Sequence, residues 1–406
     1  MKKTEEQCLG IYIHIPFCLK KCSYCDFLSF SAEKAEQENY IFALLKEIMK
    51  WGEYYGKKGK DYQIITIYFG GGTPSVLEPA YIEKIFSTLE KNYTIKSDAE
   101  ITIECNPKTA DYDKFCSYLK AGINRLSMGL QSVHNEELKQ IGRIHTWEDF
   151  LQTYHAAESA GFSNINLDII SALPDQTYDS YHKTLEQVVH LNPKHISSYS
   201  LIIEEGTPFF DMYSQGLLHL PDEDLERQMY YHTNKFLEQN GYHRYEISNY
   251  AKAGYESKHN SSYWKRKNYL GFGLGASSLV DNIRFQNVND FKQYIQRYFQ
   301  NNENYSNNIE EILPYYKEVQ ILSKREQMEE FMFLGLRLTE GISKSEFEKL
   351  YKRNFDKVYG KVCSRLAGMG LVYCEEDNVR LTNRGIDVSN QVMAEFLLEN
   401  KVSEIL

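Results

Sequence analysis

Six short runs rich in β-branched and aromatic residues recur along the first half of this chain, separated by amphipathic stretches. The runs are IYIHI (11–15), IITIYF (64–69), EITIEC (100–105), RLSMGL (125–130), INLDII (165–170) and HISSYSL (195–201). Segments such as AEQENYIFALLKEIMKWGEYY, PAYIEKIFSTLEKNY and YDSYHKTLEQVVHL lie between them, with apolar residues at helical spacing. Alternation at roughly thirty-residue intervals makes neighbouring strands parallel, because a helix must carry the chain back before each new strand. An α/β layer or barrel is predicted. Polar or glycine residues follow several strands: GGGTPS after 69, NPKT after 105, QS after 130 and ALPDQT after 170. In parallel α/β folds the loops at the C-terminal strand ends share one mouth, so the chemistry is expected there.

The pattern loosens from 222 to 299. A helix, EDLERQMYYHTNKFLEQNGY, leads into an irregular run that includes HNSSYW and YLGFGLGASS. The polar stretch QNNENYSNN (300–308) reads as a linker. Beyond it SKREQMEEFMFLGLRL, SKSEFEKLYK and KVYGKVCSRLAGMG read as helices. LVYCEEDNVRLT reads as two strands around a turn, and GIDVSNQVMAEFLLE as a last helix. Helices followed by a small hairpin describe a winged-helix-like module. Residues 323–406 carry 13 Lys or Arg against 14 Asp or Glu, which argues against DNA binding there. The expected division is 1–221, 222–299, a linker at 300–308, and 309–406.

With 406 residues, 42% of them hydrophobic and 14% aromatic, the chain supports real cores rather than disorder. Its net charge of −10 gives no general attraction to nucleic acid. The start, MKKTEEQCLG, lacks the apolar stretch of a signal peptide, and no run approaches membrane-spanning length. A cytoplasmic protein is expected. Eight cysteines in a reducing compartment are not a disulfide framework. Cys8, Cys105, Cys116, Cys363 and Cys374 stand apart in sequence and are expected as small buried hydrophobes.

Cys18, Cys22 and Cys25 need another explanation. They fall at spacings of four and three in IHIPFCLKKCSYCDF, and no fourth thiol follows. A structural zinc ion asks for four protein ligands, and His14 is the nearest candidate to complete such a set. Three thiolates alone suit an iron–sulfur cluster, where one iron of four stays open to an outside chelate.

CLKKCSYC has the C-x3-C-x2-C pattern of the radical S-adenosylmethionine (SAM) superfamily and, as in that family, follows a first strand. YFGGGTPS resembles the family's second element, whose glycines let the backbone approach the methionine amino group of SAM. IYIHIPFC, FGGGTPS, IECNP, RLSMGLQS, IGRIHT, NLDIISALPDQT and SYSLIIEEGTPF together resemble one branch, which contains the oxygen-independent coproporphyrinogen III oxidases and the HemW-type heme chaperones. The resemblance implies a partial parallel (β/α)6-type barrel, a small antiparallel region and the C-terminal winged-helix-like domain. It implies a [4Fe–4S] cluster on Cys18, Cys22 and Cys25. SAM would lie against Tyr12, Gly70, Gly71, Gly72, Thr73, Glu104, Gln131, Arg143 and Asp168. Acidic acceptors and a cation suit the sulfonium, ribose and carboxylate of SAM.

Two departures separate this chain from the oxidases. They carry a further cysteine two positions after the third, where this chain has Phe27, and a longer N-terminal extension. HNSSYW resembles the H-N-x-x-Y-W motif of the heme chaperones. It implies His259 as a heme-iron ligand, with Tyr263 and Trp264 offering flat faces to the macrocycle. The implied function is a chaperone that binds heme, holds the SAM-ligated cluster and passes heme to acceptor proteins. Respiratory enzymes at the membrane are the acceptors suggested, with the chaperone soluble or peripheral to it, as monomer or homodimer. The alternative is a radical SAM enzyme acting on a porphyrin, either a coproporphyrinogen III oxidase or a heme-opening methyltransferase.

Overall fold

The computed structural model describes residues 8–57, 60, 62–299 and 316–398. The six expected strands form as β1 (Cys8–Ile15), β2 (Gln63–Gly71), β3 (Thr94–Cys105), β4 (Arg125–Gln131), β5 (Ile165–Ser171) and β6 (His195–Ser200). They pair in chain order, and every pair is parallel. The returns are helical, as in Lys34–Lys57, Pro79–Asn92, Trp147–Ala160 and Tyr178–Leu191. Local chemistry sets their ends. Thr177 and Ser180 form a reciprocal cap at the start of the last of these, and Asn192 stops it in the left-handed conformation.

Alternation along each strand divides its side chains. Ile11, Ile13, Ile67, Phe69, Ile101, Ile103, Leu126, Met128, Leu167 and Ile169 are buried in the main apolar core, where helices such as Lys34–Lys57 contribute Leu44, Ile48 and Trp51. The opposite set is polar, and strand register stacks it in layers. Gly10 lies beside Thr66, and Thr66 beside Glu100. Tyr12, Tyr68, Thr102 and Arg125 form the next row. Above them Glu104 pairs with Ser127, Ser127 with Asn166 and Asn166 with His195, followed by Gly129, Asp168 and Ser197. The concave side is thus a polar interior wrapped in an apolar wall.

The region after β6 extends both edges of this sheet. β7 (His243–Arg244) and β8 (Asn249–Ala251) add antiparallel strands beyond β6. On the far side β9 (Tyr269–Phe272) runs parallel to β1, followed by antiparallel β10 (Ser277–Val280), β11 (Ile283–Gln286) and β12 (Lys317–Ile321). The small antiparallel region therefore includes one strand that lengthens the parallel set. The twelve strands make one sheet in the order β12-β11-β10-β9-β1-β2-β3-β4-β5-β6-β8-β7.

The C-terminal part has helices Lys324–Gly335, Lys344–Tyr351 and Phe355–Gly368. Strands β13 (Ile342–Ser343), β14 (Val372–Cys374) and β15 (Asn378–Leu381) form an antiparallel sheet of order β13-β15-β14, the expected helix-and-hairpin module. Its own core includes Met332, Phe347, Phe355 and Tyr359. Two expectations fail here. The last helix is broken into Asn383–Asp387 and Ser389–Ala394, because Val388 leaves helical geometry at φ −118°. Cys374 is exposed on its strand, while Cys8 and Cys116 are half-buried and Cys105 and Cys363 buried. The linker expected at 300–308 lies outside the described residues.

A candidate cluster and SAM site

The cysteine loop leaves β1 and closes on itself. Cys18 N–H donates to the Phe30 carbonyl (3.0 Å), and Phe30 N–H to that of Pro16 (2.8 Å). Its tip is braced from two sides: Ser23 N–H donates to the Ile141 carbonyl, and Phe209 N–H to that of Ser23, each at 3.0 Å. Gly142, in IGRIHT, sits at φ +79°, where a Cβ would lie 2.9 Å from Ser23 Oγ. His14 does not turn toward the thiols. Its Nε2–H donates to the Leu28 carbonyl (2.9 Å), leaving Nδ1 to accept from Tyr12 OH (3.1 Å). Among the described residues no three His, Cys, Asp or Glu side chains are gathered to hold a single metal ion. A four-iron cluster takes each thiolate on a different iron and asks for a wider set.

The glycine run packs directly under this loop. Gly72 N–H donates to the Ile15 carbonyl (2.9 Å) and Thr73 N–H to that of Phe17 (2.8 Å). A Cβ on Gly72 would stand 2.8 Å from the Phe17 oxygen and 3.0 Å from Cys18 Sγ. At Gly71 the backbone is at φ +117°, and a Cβ would overlap the His14 ring at 2.5 Å. The base of the cysteine loop thus requires glycine at 71 and 72. Thr73 Oγ1 lies 3.5 Å from Cys18 Sγ and accepts from Asn106 Nδ2 at 2.8 Å.

A cavity of about 390 Å3 opens at the C-terminal ends of β1–β6. Cys18, Cys22, Cys25, Gly71, Gly72, Thr73, Glu104, Gln131, Arg143 and Asp168 all line it. Glu104 accepts from Tyr68 OH (2.8 Å) and from Gly71 N–H (3.1 Å). Burial, with the hydrogen bonds opposing it and the Asp168 charge adding to it, pushes the Glu104 carboxyl up to about 7. Burial also raises Asp168, whose carboxylate accepts from Asn166 Nδ2 (2.8 Å) and Ser127 Oγ (3.3 Å). Arg143 spans from the thiols to the floor. Its Nη2 donates to Asn106 Oδ1 (2.7 Å) and the Gly129 carbonyl (2.6 Å), and its Nη1 points at Cys22 Sγ (3.7 Å). Nε of Arg143 and Nε of Arg125 are buried without a hydrogen-bond partner. A zwitterionic ligand with hydroxyls fits such a floor: two carboxylates, two guanidinium groups with donors to spare, and backbone exposed beside Gly71. A larger groove of about 680 Å3 lies over the outer helices between Glu78, Lys108 and Asp149, but its charges are engaged with one another or with backbone: Lys108 pairs with Asp149 at 3.3 Å, and Lys114 donates to the Ser75 and Thr109 carbonyls.

Tyr12 and Gly70 stand just below the cavity without lining it. Tyr12 stacks on Tyr68 with ring centres 6.2 Å apart, and a Cβ on Gly70 would meet both rings. Several lining residues were not anticipated: Tyr68, Asn106, Arg125, Ser127, Asn166 and Ser197. Tyr68, Arg125, Ser127 and Asn166 sit in step with an expected residue on the inward side of the same strand, so the two-residue period already pointed to them, whereas Ser197 lies on β6, opposite Asp168, where no site residue was expected. Asn106 follows Glu104 in the quoted IECNP.

The HNSSYW residues lie elsewhere. Helix Lys258–Trp264 seals the N-terminal side of the polar interior, its first N–H groups donating to the buried Glu100 carboxylate. His259 is only 1% exposed. Its Nδ1 is hydrogen-bonded to Thr66 Oγ1 and its Nε2 to Tyr263 OH, both at 2.8 Å, and its ring stacks on Tyr68. Burial, then the Arg125 charge, pulls its pKa down to about 3, so the ring is neutral. Trp264 carries the Arg337 guanidinium 4.3 Å above its ring, a contact with the C-terminal part. Of this helix only Asn260 reaches the cavity lining. Tyr68 links the two layers, touching Glu104 above and His259 below.

The sequence pattern of the radical SAM superfamily matches residues 12–188, and that of the HemN C-terminal domain matches residues 322–388. The heme chaperone HemW of Bacillus subtilis is 37% identical over 96% of this chain and 99% of its own length. The heme chaperone HemW of Lactococcus lactis is 34% identical over 96% of this chain and 97% of its own. Among solved structures, the coproporphyrinogen III oxidase HemN of Escherichia coli, a radical SAM enzyme, superposes with a TM-score of 0.80 at 24% identity, covering 98% of this chain and 91% of that one. At that identity the likeness shows the fold.

Proposed function

Because the chain belongs to the HemW family of the radical SAM superfamily, we propose that it binds heme beside a SAM-ligated [4Fe–4S] cluster and passes that heme to acceptor proteins. The observation that carries the reading is Phe27. It stands where the decarboxylating relatives carry a cysteine, and it is 64% exposed at the cavity edge. When bound, the cluster supplies one open iron to the methionine end of SAM and an electron for its reductive cleavage. The chain's own residues do the holding. Cys18, Cys22 and Cys25 are the thiols at hand, Thr73 and Arg143 reach two of them, and Glu104, Asp168 and Arg143 answer the charges and hydroxyls of SAM. Respiratory enzymes at the membrane are the proposed acceptors. No described helix is long and apolar enough to cross a membrane, so contact with them would be at the surface.

His259 can serve as axial ligand only in a rearranged state. Its imidazole must leave Thr66 and Tyr263 and come out of the barrel. The test of the function is a hemin titration of anaerobically reconstituted protein. One hemin per chain, bound saturably, is expected; no binding with the cluster intact contradicts it.

A second reading, a radical enzyme acting on a porphyrin, draws support from the complete set of polar residues around the cavity. Incubating reduced, SAM-loaded protein with coproporphyrinogen III tests the decarboxylase form, which predicts a vinyl product. Heme consumption under the same conditions tests the ring-opening form.

A further inference from the structure

The cavity has two levels of different character. Its floor is polar and enclosed, with Glu104, Arg125, Arg143 and Asp168 deep inside the barrel. Its rim is apolar and open. Phe27 on the cysteine loop is 64% exposed, Ile202 beyond β6 is 65% exposed, and both line the same mouth. Single exposed apolar residues need no explanation, but two large ones lining one opening mark a surface for a ligand. Lys20 and Lys21 share the cysteine-loop side with Phe27, and Lys21 Nζ donates to the Phe27 carbonyl at 2.9 Å, which steadies the ring's backbone. An ammonium has three donors, so Lys21 retains capacity for an anion. Asp26 and Glu204 also line the rim, so a dianion is welcomed only along the lysine side.

We propose that the rim formed by Phe27 and Ile202, with Lys20 and Lys21, docks the heme macrocycle face-on over the SAM floor, its propionates turned to the lysines. The proposal rests on the heme reading above and gives it a location. It rests on the floor proposed above for SAM and on two observations: the histidine of the HNSSYW motif has both nitrogens engaged inside the barrel, and the rim pairs apolar side chains with cations. A flat ring with two carboxylates matches that pairing. Holding the ring by one face and its propionates leaves the axial position on the open face to an acceptor, which suits hand-over rather than storage.

The test compares hemin, metal-free protoporphyrin IX and its dimethyl ester on the reconstituted, SAM-loaded protein, with iron and sulfide counted for every variant. Because the rim holds the macrocycle and not the metal, protoporphyrin IX is expected to bind within about threefold of hemin, and the ester at least about tenfold more weakly. Ile202→Asp and Phe27→Asp should each weaken hemin by at least about tenfold, and Lys20→Glu with Lys21→Glu by about tenfold, while SAM binding to Ile202→Asp is unchanged. Ile202 lies off the cysteine loop, so its variant stays informative if Phe27→Asp loses the cluster. Unchanged hemin affinity in Ile202→Asp, or hemin binding without protoporphyrin IX binding, overturns the rim. Wild-type protein that binds neither porphyrin overturns the heme reading itself.

Discussion

Glu104 and His259 show how one polar interior assigns opposite work to two ionisable groups. The Glu104 carboxyl is raised by burial to about 7, so in the empty protein it is protonated at acid pH. Its neutral burial is favourable below the unfolded value, and that contribution is lost as pH rises through about 7. A cationic ligand that needs the ionised form must remove this proton. SAM affinity should therefore rise by up to about tenfold per pH unit from about 5 and level off above about 7. Glu104→Gln should bind weakly with a flat profile; calorimetry across this range, with cluster content held fixed, reads both. A pH-independent wild-type affinity would exclude Glu104 as the acceptor. His259 acts as a neutral strut between Thr66 and Tyr263. Replacing it by Ala leaves a cavity and two buried hydroxyls short of a partner, which should destabilise the protein by about 2–4 kcal/mol in denaturant unfolding. With the barrel closed, the hemin spectrum of His259→Ala should match wild type. A displaced Soret band would instead identify the rearranged, iron-ligating state.

At the scale of elements, the cysteine loop depends on the glycine run beneath it. Gly71 combines a positive φ with ring contact, so Gly71→Ala should destabilise by about 2 kcal/mol or more and lower the iron retained after reconstitution. Wild-type stability and iron content in that variant would mean the loop base adapts freely. The same elements show what the sequence could reveal. Six parallel strands were legible because they recur as short runs, four of them rich in β-branched residues, between helical stretches, and the inward residues because their spacing is two. β9 to β11 were not legible. Each has four residues, and β9 contains Gly271, which no strand propensity favours. That glycine is needed because a Cβ there would come 2.2 Å from the Ser277 carbonyl oxygen. Most of the residues that line the cavity were readable from motif and period together. The place of His259 was not, since only tertiary packing decides whether a helix of seven residues faces a cleft or plugs a barrel.

Over the whole molecule, the plug helix is also the seam to the C-terminal domain. Arg266 and Arg284 converge on Glu330 at 2.8 and 2.7 Å, with Glu330 almost fully buried, and Arg337 stacks on Trp264. Removing one partner of a buried ion pair strands the other charges. Glu330→Ala should therefore lower stability by about 3 kcal/mol or more and loosen helix Lys258–Trp264, visible as faster amide exchange at His259. Unchanged exchange would separate the C-terminal domain from the state of the plug. The order of barrel, antiparallel region and C-terminal module was legible in the sequence, but this coupling was not, because Arg284 and Arg266 lie 46 and 64 residues from Glu330. On the proposed reading this radical SAM barrel carries heme instead of making a porphyrin. The most direct measurement divides one reconstituted, reduced, SAM-loaded sample between hemin and coproporphyrinogen III. One hemin per chain is expected to be retained through gel filtration, with coproporphyrinogen III recovered unchanged. A vinyl product, with hemin eluting free, would contradict it.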